Sequence, residues 1–223
     1  MTESTLNAPH VAKLIDRLFA DSDASDLELR NMFAAVPPEE RIRRMSDPNA
    51  DYRAFYGRTK TMYLAVSRDT ARLLYMLART SKARAIVEFG TSFGISTLHL
   101  AAALRDNGGG RLVGSELEPT KAARARANLT EAGLAELVDV REGDALETLA
   151  RDLPDAIDLV LLDGHKPLYP RILDLLEPRL RAGACVIADN ADASPDYVAR
   201  VRSAGGGYVS VPFAEDVELS MRL

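Results

Sequence analysis

Residues Ala85 to Ser96 read A-I-V-E-F-G-T-S-F-G-I-S. Five strand-like residues run into Gly90, small residues follow, and Gly94 opens a stretch that Leu98, Leu100 and Leu104 make helical. A strand that turns through glycines into a helix presents backbone N–H groups and the positive end of a helix dipole, so a carboxylate or phosphate suits it. The G-x-x-x-G spacing lacks the middle glycine that lets a dinucleotide's pyrophosphate approach the backbone, which points to a less bulky anion. Downstream, Arg111 to Ser115 reads as a second strand ending at Glu116, inside E-L-E-P. An acid at that place takes the ribose hydroxyls of a nucleoside. The implied ligand is a nucleoside with a compact charged tail, and S-adenosylmethionine meets that description.

Working outward, strands fall near Ala85–Phe89, Leu112–Glu116, Val138–Arg141, Ile157–Leu162 and Ala184–Ala188. Helices alternate with them near Ile95–Arg105, Thr120–Ala132, Ala145–Arg151, Leu168–Glu177 and Pro195–Ser203. Single helices between short apolar strands imply right-handed crossovers and a parallel, doubly wound sheet that binds ligands at the carboxyl ends of its strands. Tyr208–Phe213 and Val217–Leu223 flank the turn A-E-D with no room for a helix, and so form an antiparallel hairpin. The expected fold is α/β: a Rossmann-like, doubly wound, mostly parallel sheet of seven strands with an antiparallel C-terminal hairpin and an N-terminal helical addition.

That addition covers residues 1–80, and the cofactor-binding domain residues 81–223. Helices are expected near Ala8–Ala20, Ser25–Ala35, Glu39–Met45 and, from an N-cap at Ser67, to Arg79. Between them Ser46–Ala65 is mixed, with Tyr52, Phe55, Tyr56 and Tyr63 read as packing residues in preference to pocket lining. The segment suits a cap or a homodimer surface. Arg41–Arg44 and Lys121–Arg126 read as solvated helix faces. The 223 residues carry a net charge of −5, which offers no basic footprint for nucleic acid or an anionic membrane. Cys185 is the single cysteine and reads as a small core residue in a reducing compartment. Neither a signal-peptide pattern nor a bilayer-length apolar run is present, so a cytoplasmic location is expected.

The strand ends converge on one sheet edge. They bring together Glu88 and the glycine loop, Glu116, Gly143-Asp144, Asp163 and Asp189-Asn190. Asp144 is placed to accept from an adenine amino group. Two carboxylates and an amide form an all-oxygen set suited to Mg2+, Mn2+ or Ca2+. Singly, Asp163 and Asp189 read as caps of the following helices; together with Asn190 and Lys166 they read as a cation site. Lys166 follows Asp163 by three residues, and a neighbouring cation lowers a lysine's pKa and makes it a general base.

Through V-E-F-G-T-S-F-G-I-S-T, S-E-L-E-P, L-L-D-G-H-K-P-L-Y and I-A-D-N-A, in that order and spacing, the chain from Val66 onward resembles a known family. It is that of the class I S-adenosylmethionine-dependent O-methyltransferases of the catechol and caffeoyl-CoA type. The resemblance implies that Glu116 binds the cofactor ribose, that Gly90, Ser92 and Gly94 accommodate its methionine part, and that Ser96 holds its carboxylate. Val66 would touch the methionine and Asp144 and Ala145 the adenine. Asp163 completes the cofactor set, with Glu88 either a member of it or a residue that holds the loop amides beside it. Asp163, Asp189 and Asn190 would be metal ligands, with Mg2+ the expected ion, and Lys166 the base that takes a hydroxyl proton from a small hydroxylated acceptor.

One departure bears on the acceptor. Where the family carries a longer loop over the substrate, A-D-A-S-P here passes almost directly from Asn190 into a helix. The site is therefore more open, or is closed by the N-terminal helices or a partner subunit. A metal-independent enzyme for a bulkier or nucleoside acceptor, and a non-catalytic or nicotinamide-binding protein of the same fold, are the competing readings.

Overall fold

The computed structural model describes residues 4–214 and 216–223. Seven strands, β1 (Ala85–Phe89), β2 (Arg111–Glu116), β3 (Val138–Glu142), β4 (Ile157–Leu162), β5 (Leu180–Ala188), β6 (Tyr208–Phe213) and β7 (Val217–Arg222), form one sheet of order 3-2-1-4-5-7-6. The first five are parallel, and β7 is antiparallel to both β5 and β6. Of the expected A-E-D turn between β6 and β7, Glu215 lies outside the described residues.

Side chains alternate across β1, so each face builds its own core. Ile86 faces a layer of α1 (Pro9–Ser25), α5 (Arg68–Thr80), α6 (Ile95–Asp106) and α7 (Pro119–Glu131), where Leu14, Leu74, Leu98 and Leu129 are buried. Val87 and Phe89 face α8 (Ala145–Thr148), α9 (Tyr169–Leu176) and α10 (Pro195–Arg202), with Tyr169, Leu173 and Tyr197 in that core. Three short helices, α2 (Leu27–Ala34), α3 (Pro38–Met45) and α4 (Tyr52–Arg58), complete the N-terminal addition. Ser67 caps α5 by accepting from the Thr70 N–H at 3.0 Å, as expected.

The first helix runs on to Ser25, past the expected Ala20, and three further differences have a visible cause. β5 begins at Leu180, because a register shift between Ile157 and Leu159 lets Leu180 pair ahead of the apolar run. The third helix of the domain stops at Thr148, since Arg141 then takes the carbonyls of Thr148, Arg151 and Asp152. The mixed stretch contains α4, whose Asp51 cap accepts from the Ala54 N–H; seven residues with a glycine among them carry too little periodicity to see. Cys185 is half-buried against the core, and among the described residues no helix is long and apolar enough to cross a membrane.

Candidate active site

The parallel ladder runs one residue past each strand and levels the strand ends. Gly90 N–H donates to the Ser115 carbonyl, Asp163 N–H to that of Phe89, Asp189 N–H to that of Leu162 and Gly143 N–H to that of Glu116. The four turns thus share one edge of the sheet, and a cleft of about 1220 Å³ opens above it. Gly90, Ser92, Glu116, Asp144, Ala145, Asp163, Lys166, Asp189 and Asn190 all line it.

Two glycines are required here. Gly90 has φ +100°, and a Cβ on it would collide with the Asp163 carbonyl. A Cβ on Gly164 would enter the ring of Phe89. The first brings the loop against the end of β4; the second lets D-G-H-K cross over β1.

At one end of the cleft, Glu116 Oε2 accepts from the Ser92 N–H at 2.7 Å and Oε1 from the Glu118 N–H at 2.9 Å. Burial raises its pKa against these two donors. Ser92 sits in left-handed backbone, φ +47°, and its hydroxyl donates to the Tyr63 carbonyl at 2.5 Å, which ties the loop to the N-terminal addition.

Four sequence expectations are placed elsewhere. Glu88 is fully buried beneath the loop on the α6 face, where Ser96 Oγ and Thr97 Oγ1 donate to it at 2.6 Å and Thr91 Oγ1 at 3.0 Å. Ser96 is consequently occupied by Glu88 and buried. Gly94 packs near Ala125, and Val66 joins the core while its neighbours Ala65 and Ser67 face the cleft. These residues shape the loop and do not line the cavity. Asp144 does line it, yet Tyr52 Oη donates to its Oδ2 at 2.9 Å, Arg53 Nη2 at 2.6 Å, and the Leu146 N–H to its Oδ1. Both carboxylate oxygens are engaged, so the expected adenine acceptor is already bound by the roof.

At the other end, Lys166 Nζ donates to Asp163 Oδ1 at 2.9 Å and stands 5.4 Å from the Tyr169 ring centroid. Burial pushes the ammonium down, but the charges of Asp163 and Asp189 outweigh it and hold its pKa above the ordinary value. In this arrangement the lysine is an ion-paired cation; the lowered pKa expected beside a metal concerns the site with a cation on those carboxylates. Asp189 is raised by burial and by the charge of Asp163. Asn190, at φ +47°, donates from Nδ2 to Asp216 Oδ2 at 2.8 Å. Among the described residues no group of three or more His, Cys, Asp or Glu side chains is arranged to hold a metal. Two mutually repelling buried carboxylates beside an amide are nonetheless a donor set that a hard cation fits.

Several lining residues escaped the sequence. Tyr52, Phe55 and Tyr56 face the cleft instead of packing in a core; Tyr52 stacks on His165 at 4.9 Å, and burial pushes the Tyr56 phenol up to about 12. Tyr63 does pack as expected, stacked on Phe93 at 4.1 Å. Arg41 and Lys121 lie in the cleft wall, Lys121 buried, where solvated faces were expected. Asp192 and Asp216 add acidic groups, the latter carried back to the site by the hairpin. His99 is packed, its Nδ1 against the Ile95 carbonyl at 2.8 Å.

Sheet order, glycine loop and strand-end acids define a nucleoside-binding α/β domain. A family model described as a methyltransferase domain matches residues 87–191. Tricin synthase 1 of Oryza sativa subsp. japonica is 30% identical over 190 residues, covering 80% of this chain and 75% of the rice protein. A catechol O-methyltransferase of Niastella koreensis is 34% identical over 130 residues, 57% of this chain; the match spans 58% of that enzyme's length. The O-methyltransferase TomG of Streptomyces achromogenes, solved in complex with SAM, superposes with a TM-score of 0.63 at 26% identity, over 88% of this chain and 96% of TomG. The chain belongs to the class I S-adenosylmethionine-dependent O-methyltransferases of the catechol and caffeoyl-CoA type.

Proposed function

We propose that the protein moves a methyl group from S-adenosylmethionine to a hydroxyl of a hydroxylated aromatic small molecule, with a divalent cation, Mg2+ in the first instance, at Asp163, Asp189 and Asn190. The observation that carries the reading is that these three residues and Lys166 share a cleft with the Gly90 loop and Glu116. When bound, the cofactor supplies an electrophilic methyl group and the cation a Lewis acid for the acceptor oxygen.

The chain's own residues do the rest. Glu116, held by the Ser92 and Glu118 N–H groups, keeps lone pairs for the ribose hydroxyls. Lys166 accepts the acceptor's proton at Nζ; it must be neutral to do so, and the carboxylates that now keep it charged are those assigned to the cation. The helices α2, α3 and α4 cover the cleft, exclude water and fix the acceptor's orientation, in place of the loop missing after Asn190. The cleft of about 1220 Å³ exceeds the ~300–1,000 Å³ usual for a single small-ligand site, in keeping with its holding a cofactor and an acceptor together.

The test is methyl transfer over a panel of catechols and flavonoids, with chelator and after Mg2+ is restored. Lys166→Met is expected to keep S-adenosylhomocysteine binding by calorimetry and to slow transfer ~10²–10⁴-fold. Unchanged turnover in that variant removes Lys166 from the reaction, and indifference to chelation removes the cation.

A further inference from the structure

Arg41 lies on α3 and faces the cleft. Of the other arginines lining the cleft, Arg30 is paired with Asp23 and Arg44 with Glu40, while Arg58 is exposed to solvent. Among the described residues Arg41 makes no hydrogen bond or ion pair, and its Nε is buried there without a partner. A guanidinium N–H that has lost water and gained no acceptor bears its full desolvation cost, which a ligand's oxygen would relieve.

Its place in the fold says which ligand. The helix α3 packs against the turn Ala191–Ala193, directly after Asn190, so Arg41 belongs to the acceptor end and not to the Glu116 end. The facing wall there is acidic, with Asp189, Asp192 and Asp216. A molecule spanning the two walls presents hydroxyls to the acids and negative charge to the arginine. The planar guanidinium fork matches a carboxylate in two parallel bonds. We infer that Arg41 is a specificity-determining residue that selects a hydroxylated aromatic acid as the acceptor, through its carboxylate. The inference rests on the methyl-transfer reading of the cleft and names its substrate class.

The experiment compares 3,4-dihydroxybenzoate with catechol, which differ by the carboxylate alone, at saturating S-adenosylmethionine. The wild type is expected to favour the acid by about tenfold or more in kcat/KM, chiefly through KM. Arg41→Met lowers that ratio at least tenfold, and Arg41→Lys, which keeps the charge without the fork, lowers it less. A ratio that Arg41→Met leaves unchanged, or a wild type that favours catechol, overturns the assignment. Calorimetry of 3,4-dihydroxybenzoate in the presence of S-adenosylhomocysteine separates the two readings. If neither compound is methylated, binding to the wild type at least tenfold tighter than to Arg41→Met supports the arginine while methyl transfer falls; equal binding overturns it.

Discussion

Replacing Glu88 by glutamine tests whether the acid beneath the glycine loop is a buried strut. Three hydroxyls donate to Glu88 and favour its charge, but burial on the central strand acts harder and brings its pKa from 4.5 to about 7. Between these values the unfolded chain releases a proton that the folded chain keeps. Stability from this group is therefore full below pH 4.5 and falls as pH rises towards 7, by about 3 kcal/mol. Glutamine is neutral throughout, so the stability of Glu88→Gln minus that of the wild type should climb by about 3 kcal/mol between pH 4.5 and pH 8. Urea denaturation at half-unit steps measures it. The difference between the proteins is the quantity to follow, because Asp163 and Asp189 are also raised and contribute the same slope to both. A difference that stays flat, or falls with pH, refutes the reasoning.

Gly90→Ala sets a Cβ against the Asp163 carbonyl in left-handed backbone; calorimetry should show S-adenosylhomocysteine binding weakened by about tenfold or more, and intact affinity would show that the loop tolerates the shift. Asp26→Ala removes the buried carboxylate that accepts from the Tyr63 and Leu64 N–H groups at 2.7 and 2.9 Å, and should lower the unfolding free energy by about 3 kcal/mol in urea. Asp216→Ala leaves the Asn190 amide without its acceptor; transfer should drop by about tenfold or more while S-adenosylhomocysteine binding holds, and an unchanged rate would detach the hairpin from the site.

The sheet was legible because its signals are local. β1, β4 and the second half of β5 are short apolar runs before a small or acidic residue, and β1, β4 and β6 start and stop where the pattern says. The convergence of Gly90, Glu116, Asp163 and Asp189 then follows from topology, since parallel strands end on one edge. What stayed hidden depends on contacts between distant segments. That Tyr52 and Arg53 reach Asp144, 92 and 91 residues away, is no property of either stretch. Aromatic spacing gave no means to separate Tyr63, stacked in the core, from Tyr56, turned into the cleft. Likewise E-E-R-I-R-R reads as a solvated face, and only the packing of α3 on Ala191–Ala193 turns Arg41 inward.

The same packing accounts for the short segment after Asn190. With A-D-A-S-P leaving that side of the sheet edge low, α2, α3 and α4 are drawn over it, and their attachments are specific. Asp26 fixes the strap at Tyr63 and Leu64, Ser92 fixes the strap to the glycine loop, and Asp144 is gripped from α4 by Tyr52 and Arg53. The roof is thus bonded to the Glu116 end of the cleft at Ser92 and Asp144, while towards Asn190 it supplies Tyr56 and Arg41, whose Nε has no partner among the described residues. Under the proposed function a nucleoside at the Glu116 end would compete with or rearrange the Asp144 contacts, whereas an acceptor would meet a guanidinium whose Nε has no partner among the described residues. Under that reading a roof built this way would couple cofactor entry to its own position and leave acceptor choice to α3 and α4, the part of the chain with no place in the sheet.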